Sequence, residues 1–149
     1  NLSSYIKMIL LVVLFIVNFL IFTQMKDDQR ILDVKEKYRT LREHLKQLDD
    51  PQYTMLHREI PIVAHTGKPS TVGYNTNKGA EIGLCIDGTP NEIFHVLLHE
   101  LAHCMVKEYS HSDEFWERYE KLKNEAVAIG VYESIRKTTP FCGQEIRDK

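Results

Sequence analysis

His99 and His103 stand four residues apart, and Glu100 follows the first of them. On an α-helix that spacing puts both imidazoles on one face, one turn apart, where they can reach a single cation. Neutral imidazole is a preferred ligand of Zn²⁺, and a catalytic zinc site takes three protein ligands and leaves a fourth position for water. Glu100 sits where its carboxylate can touch that water without binding the metal. The chemistry that this H-E-x-x-H arrangement predicts is metal-assisted hydrolysis of a peptide bond, with Glu100 as general base.

A helix has to carry the motif, and the preceding residues supply one. Thr89-Pro90-Asn91-Glu92 reads as a helix start, with Thr at the N-cap, Pro at the first helical position and Glu three residues after the cap. Ile93, Val96, Leu97, Leu101 and Met105 then give an apolar face. The third ligand must come from beyond this helix, so the helix has to end first. If it ran on unbroken, His111 would lie about 12 Å farther along the axis than His103 and about 80° around it. The sequence therefore predicts a stop near Lys107 or Glu108, with Tyr109 and Ser110 in the turn. Glu125 and Glu114 are the competing downstream ligands.

With His111-Ser112-Asp113-Glu114-Phe115-Trp116 added to the first motif, the chain resembles the minimal zincins of the SprT and WLM group. Those zincins follow H-E-x-x-H with a third His that opens an H-x-x-x-F segment. The likeness covers roughly residues 82–143. Proteins of this outline, with a Cys-Gly near the end like Cys142-Gly143, also occur in large DNA viruses. Seven residues separate His103 from His111, longer than the commonest spacing of the group, and no Gly lies between them. The resemblance implies an α+β fold, a small zincin-like domain with a short antiparallel sheet, an active-site helix and a following helix. It implies Zn²⁺ held by His99, His103 and His111, and a protein or peptide as substrate. It also gives Glu81 to Cys85, just before the active-site helix, the role of the strand along which substrate backbone pairs.

Three segments are expected: an anchor over 1–25, a juxtamembrane helix over 26–50 and the zincin-like domain over 51–149. Met8 to Phe22 is apolar except for Asn18, and the run reaches the length of a bilayer core if Tyr5 to Met25 is counted. No small-x-small cleavage site follows at Phe22-Thr23-Gln24-Met25, so an uncleaved single-pass anchor is expected. Lys7 precedes the run, whereas Lys26, Arg30, Lys35, Lys37, Arg39 and Arg42 follow it. By the positive-inside rule the domain should face the cytoplasm. From Asp27 to Asp49, apolar Ile31, Val34, Tyr38, Leu41, Leu45 and Leu48 recur with heptad spacing. That stripe either lies on the domain or pairs in a homodimer through residues 31–48.

Between Tyr53 and Ile86 the pattern is β. Glu59 to Ala64 reads as an extended run whose Pro61 marks an edge or strand end. Thr71 to Tyr74 and Ala80 to Ile86 flank a hairpin loop, Asn75 to Gly79. Beyond His111, Ser112 caps a second helix with Phe115, Tyr119, Leu122, Ala126 and Ile129 at helical spacing and Gly130 as its stop. Phe115 and Trp116 read as wedges under the site, and the tail from Val131 wraps back on the domain. Tyr109 and Tyr132 are both candidates to stabilise an oxyanion. His95, four before His99, is a candidate bystander at the metal, but the sequence favours a place behind the ligands or in solvent.

Cys85, Cys104 and Cys142 are an odd number without tight spacing, which predicts neither a disulfide framework nor a thiolate zinc site; a Cys85–Cys142 disulfide is expected only if the apolar run is a cleaved signal. Cys104 follows a ligand but points about 100° around the helix from it. From Tyr53 onward eleven Lys and Arg face fourteen Asp and Glu, a formal −3. SprT and WLM peptidases are associated with proteolysis of proteins crosslinked to DNA, but this balance gives no basic footprint for nucleic acid. The alternative function is a membrane-anchored zinc-binding scaffold or an inactive zincin-like interaction protein. Glu100 argues against it, because a structural zinc site has no use for that carboxylate.

Overall fold

The structure, a computed structural model, describes residues 1–24, 28–66 and 71–149. The expected segment boundary at Met25 and Lys26, and the Asp27 start of the second helix, lie outside the described residues. Helix α1, Leu2–Gln24, exposes its apolar side chains along its whole length. Within Leu2–Thr23 an 18-residue stretch has a mean hydropathy of 2.7, and the helix is long and apolar enough to cross a membrane. Two of its polar side chains are satisfied within the helix: the Asn18 amide donates to the Leu14 carbonyl and the Thr23 hydroxyl to that of Leu20.

Asp28 caps helix α2, Gln29–Gln47, by accepting the Arg30 N–H. Ile31, Val34, Tyr38, Leu41 and Leu45 are buried, so the heptad-spaced stripe lies on the domain, and Leu48 alone stays exposed. Each apolar side chain so withdrawn from water stabilises by roughly 1.5–3 kcal/mol. Asp49, at φ 51°, turns the chain, and Asp50 caps a 3₁₀ turn over Pro51–Leu56.

Three strands follow, β1 (Ile62–His65), β2 (Gly73–Thr76) and β3 (Glu81–Cys85), in the order β1-β3-β2. Strand β1 starts just after Pro61, whose ring cannot join the ladder as a donor. It pairs parallel to β3, while β2 pairs antiparallel. The turn between β2 and β3 sits two residues later than expected. Asn75 and Thr76 belong to the strand, and Asn77, Lys78 and Gly79 supply the positive φ angles. This order corrects the expectation for Glu81–Cys85. Both edges of β3 are occupied, so among the described residues the outer edges of the sheet are those of β1 and β2.

Helix α3, Pro90–Cys104, carries a complete capping box between Thr89 and Glu92. It ends at Cys104, earlier than the expected stop near Lys107. Ser112 caps helix α4, Asp113–Ala128, and Gly130 at φ 77° closes it. The tail forms a hairpin that the sequence reading lacked, β4 (Thr139–Phe141) with β5 (Gln144–Ile146). Cys142 and Gly143 make its two-residue turn, both with positive φ. Pro140 lies opposite Glu145, one step from the Phe141–Gln144 pair that closes the turn, where the ladder needs no N–H from it.

The reading of the cysteines is also corrected. Cys85, at the end of β3, and Cys142, at the hairpin turn, form a disulfide across 57 residues of sequence. Spacing along the chain carried no sign of it, because the pairing follows from how the tail folds back. Cys104 is free and buried.

Candidate functional site

His99 and His103 project from the same face of α3, and the chain after Cys104 reverses to bring His111 beside them. The His111 Nε2 stands 2.9 Å from the His99 Nε2 and 3.2 Å from that of His103. Zinc–imidazole bonds of 2.0–2.1 Å in tetrahedral geometry place the ligand nitrogens about 3.3 Å apart. The three Nε2 atoms all lie within 4.8 Å of one another, so the donor set fits a zinc ion. Hydrogen bonding alone does not account for the cluster, because one neutral ring has a single N–H to share. Glu125 is elsewhere, its carboxylate 2.7 Å from His44 Nε2.

Phe115, fully buried, underlies the three rings at centroid distances of 4.4 to 5.0 Å. Trp116 stacks on His111 at 5.8 Å. These are the wedges that the sequence suggested. Burial, then the neighbouring His103, His111 and His95 rings, hold His99 down at about 3. Burial, His111 and Lys78 hold His103 at about 4. Both rings are therefore neutral near pH 7, the form that offers a lone pair to a metal.

Glu100 is buried, and burial alone pushes its carboxyl up to about 7. It faces a cleft of about 350 Å³ between β2 and the tail hairpin, lined also by Gly73, His95, His99, Glu145 and Arg147. Gly73 lets Val96 of α3 pack close beneath it. A Cβ there would stand 2.5 Å from Val96 Cγ1 and 3.4 Å from Glu100 Oε1. Val72 accepts from the Cys85 N–H, so in an antiparallel ladder Thr71 and Gly73 turn their own N–H and C=O outward, to the cleft side.

Sequence reasoning missed the side chains that hold this helix in place. The Asn75 amide donates to the Glu100 carbonyl at 2.9 Å. Lys78 Nζ donates to the carbonyls of His103, Val106 and Glu108 at 2.5 to 3.1 Å and ends α3 there. No local signal marks a lysine in a hairpin turn as the cap of a distant helix. Tyr109, its ring 4.5 Å from Lys78 Nζ, borders a hollow shared with Glu100 and His103. Tyr132 is withdrawn from the three histidines, its hydroxyl bound to Asp148 at 2.9 Å. A second cluster, Cys85, Asp87 and Cys142, offers no thiolate because its sulfurs are bonded to each other.

A metal-fitting histidine triad on a helix and its return turn, with a buried carboxylate beside a free strand edge, defines a zincin-like α+β domain. A model of the WLM domain matches residues 58–147, and the chain belongs to that family. No curated protein and no solved structure matches it.

Proposed function

We propose that the chain is a membrane-anchored, zinc-dependent metallopeptidase. One observation carries the reading: three Nε2 atoms converge within 4.8 Å at the mouth of a cleft whose wall holds the buried Glu100 carboxylate. His99, His103 and His111 would hold the ion. Bound zinc supplies Lewis acidity, polarising a carbonyl and acidifying water. Glu100 accepts a proton at its carboxylate and delivers it to the leaving amine. The outward edge of β2 at Thr71 and Gly73 receives the substrate backbone.

Glu100→Gln tests the mechanism. The amide keeps the shape and all three imidazoles, so zinc content should equal wild type while peptide hydrolysis disappears. Activity near wild type in the variant would remove Glu100 as base. A wild-type protein that binds zinc and cleaves no peptide pool would favour the scaffold.

Helix α1 is the anchor in this reading. The basic residues after it favoured a cytoplasmic domain, but the Cys85–Cys142 bond favours the oxidising side of the membrane. The basic residues are a weaker guide, because Lys35 to Arg42 sit on α2, which folds with the domain, and whole domains translocate largely regardless of charge. Protease added to intact cells should therefore digest the domain. Protection until the membrane is dissolved would restore the cytoplasmic orientation.

A further inference from the structure

His95 lies one turn before His99 on α3 and lines the same cleft, although it is only 9% exposed. Its Nδ1 is committed. Asp148 Oδ1 lies 3.1 Å away, and the Tyr132 and Tyr119 hydroxyls stand at 3.0 and 3.3 Å. Both hydroxyls donate to Asp148, at 2.9 and 2.8 Å, and the Ile135 N–H donates to its other oxygen at 2.8 Å. An ionised carboxylate only accepts, so the proton between the ring and Asp148 resides on Nδ1. In the neutral ring Nε2 then carries a lone pair. Nε2 makes no hydrogen bond to any described residue, and the ring lines the cleft. The space beside it is the cleft.

An extended peptide paired with the β2 edge keeps other N–H groups on its far side, and buried N–H groups require acceptors. Glu100 and the triad are reserved for the reaction. We propose that His95 is a substrate-binding residue, its Nε2 accepting a main-chain N–H of the bound peptide while Asp148 fixes the tautomer. The assignment rests on the peptidase reading. It places a second grip on the backbone, opposite β2, that tolerates any side-chain sequence except proline at the gripped position.

The test uses the full-length, zinc-loaded Glu100→Gln protein in detergent, which binds without turnover. The probe is a short, unstructured, fluorescein-labelled peptide, with analogues each N-methylated at one position, and affinity is read by anisotropy. One N-methyl position should weaken binding about three- to tenfold through the lost hydrogen bond. Adding His95→Ala should weaken the parent peptide by a similar factor and abolish the further effect at that position alone, with zinc content unchanged. Asp148→Asn, which lets the ring carry its proton on Nε2, should give the same pattern. It decides the matter should the alanine variant not fold. N-methyl effects that are equal with and without His95, zinc loss on His95→Ala, or no peptide bound would each overturn the assignment. The peptidase reading fails separately, if the protein with Glu100 intact hydrolyses nothing.

Discussion

Opening the Cys85–Cys142 bond should cost this domain a large part of its stability. The bond closes a loop of 57 residues. In the chain-entropy account, cross-linking a loop of that length removes about 14 cal/mol/K from the unfolded ensemble, or about 4 kcal/mol at 25 °C. For a domain of this size that is a fall in Tm of about 10–20 °C. Cys142→Ser measures it, with unfolding of the full chain in mild detergent followed by circular dichroism. Wild type in reductant should melt with the variant, and Cys85→Ser should add nothing to Cys142→Ser, because the two residues make one bond. The reasoning is refuted if the variant melts within about 2 °C of wild type. It is equally refuted if the unreduced protein alkylates at all three cysteines. Function gives a second reading of the same perturbation. The disulfide ties the turn of the β4–β5 hairpin to the end of β3, and residues 144–147 line the cleft. Peptide affinity should fall when the bond opens. Zinc content should hold, since the three histidines stand on α3 and its return turn.

Gly73→Ala should lower turnover without releasing zinc. The new methyl would press on Val96, in the turn of α3 just before Glu100, costing about 1–3 kcal/mol of stability, and zinc analysis beside a peptide assay checks the split. Burial raises the Asp148 carboxyl, but hydrogen bonds from His95, Tyr119, Tyr132 and the Ile135 N–H outweigh it and hold it at about 2, below the ordinary 3.8. A depressed carboxylate contributes stability that is present above pH 3.8 and is lost as pH falls through 2, at most about 2 kcal/mol here. Denaturant unfolding of wild type and Asp148→Asn should therefore differ at pH 5, and the gap should shrink as pH falls from about 4 to 2; a constant gap would show that ionisation plays no part.

What the sequence made legible was carried by neighbours along the chain. The Thr89–Glu92 capping box, the Ser112 cap, the Gly130 stop and the α2 stripe all work within a turn or two, so residue type and spacing announce them. The candidate site shared that advantage on its helical side. His99, Glu100 and His103 lie within one turn of one helix, and His111 lies in the segment opening α4. What stayed hidden depends on partners far along the chain. Nothing local distinguishes β3 from β2 as the central strand, because β1 reaches β3 by a parallel crossover. The Cys85–Cys142 pairing and the Asp148 cluster under His95 both require the tail to return, and a tail without strong periodicity does not announce where it docks.

The end of α3 shows how such a distant partner sets the site. Propensity and spacing allowed the helix to run to Lys107, yet it stops at Cys104 with Met105 as its C-cap. Lys78 is the physical reason. Held at φ 51° in the β2–β3 turn, it brings one ammonium to three carbonyls, those of His103, Val106 and Glu108. The first faces the end of the helix and the other two belong to the chain leaving it, so a cation at the negative end of the helix dipole also bends the exit. The seven residues between His103 and His111 are thereby folded into a loop around a fixed charge. That loop returns His111 to within 3.2 Å of His103. That seven-residue interval is the length of chain that passes around Lys78.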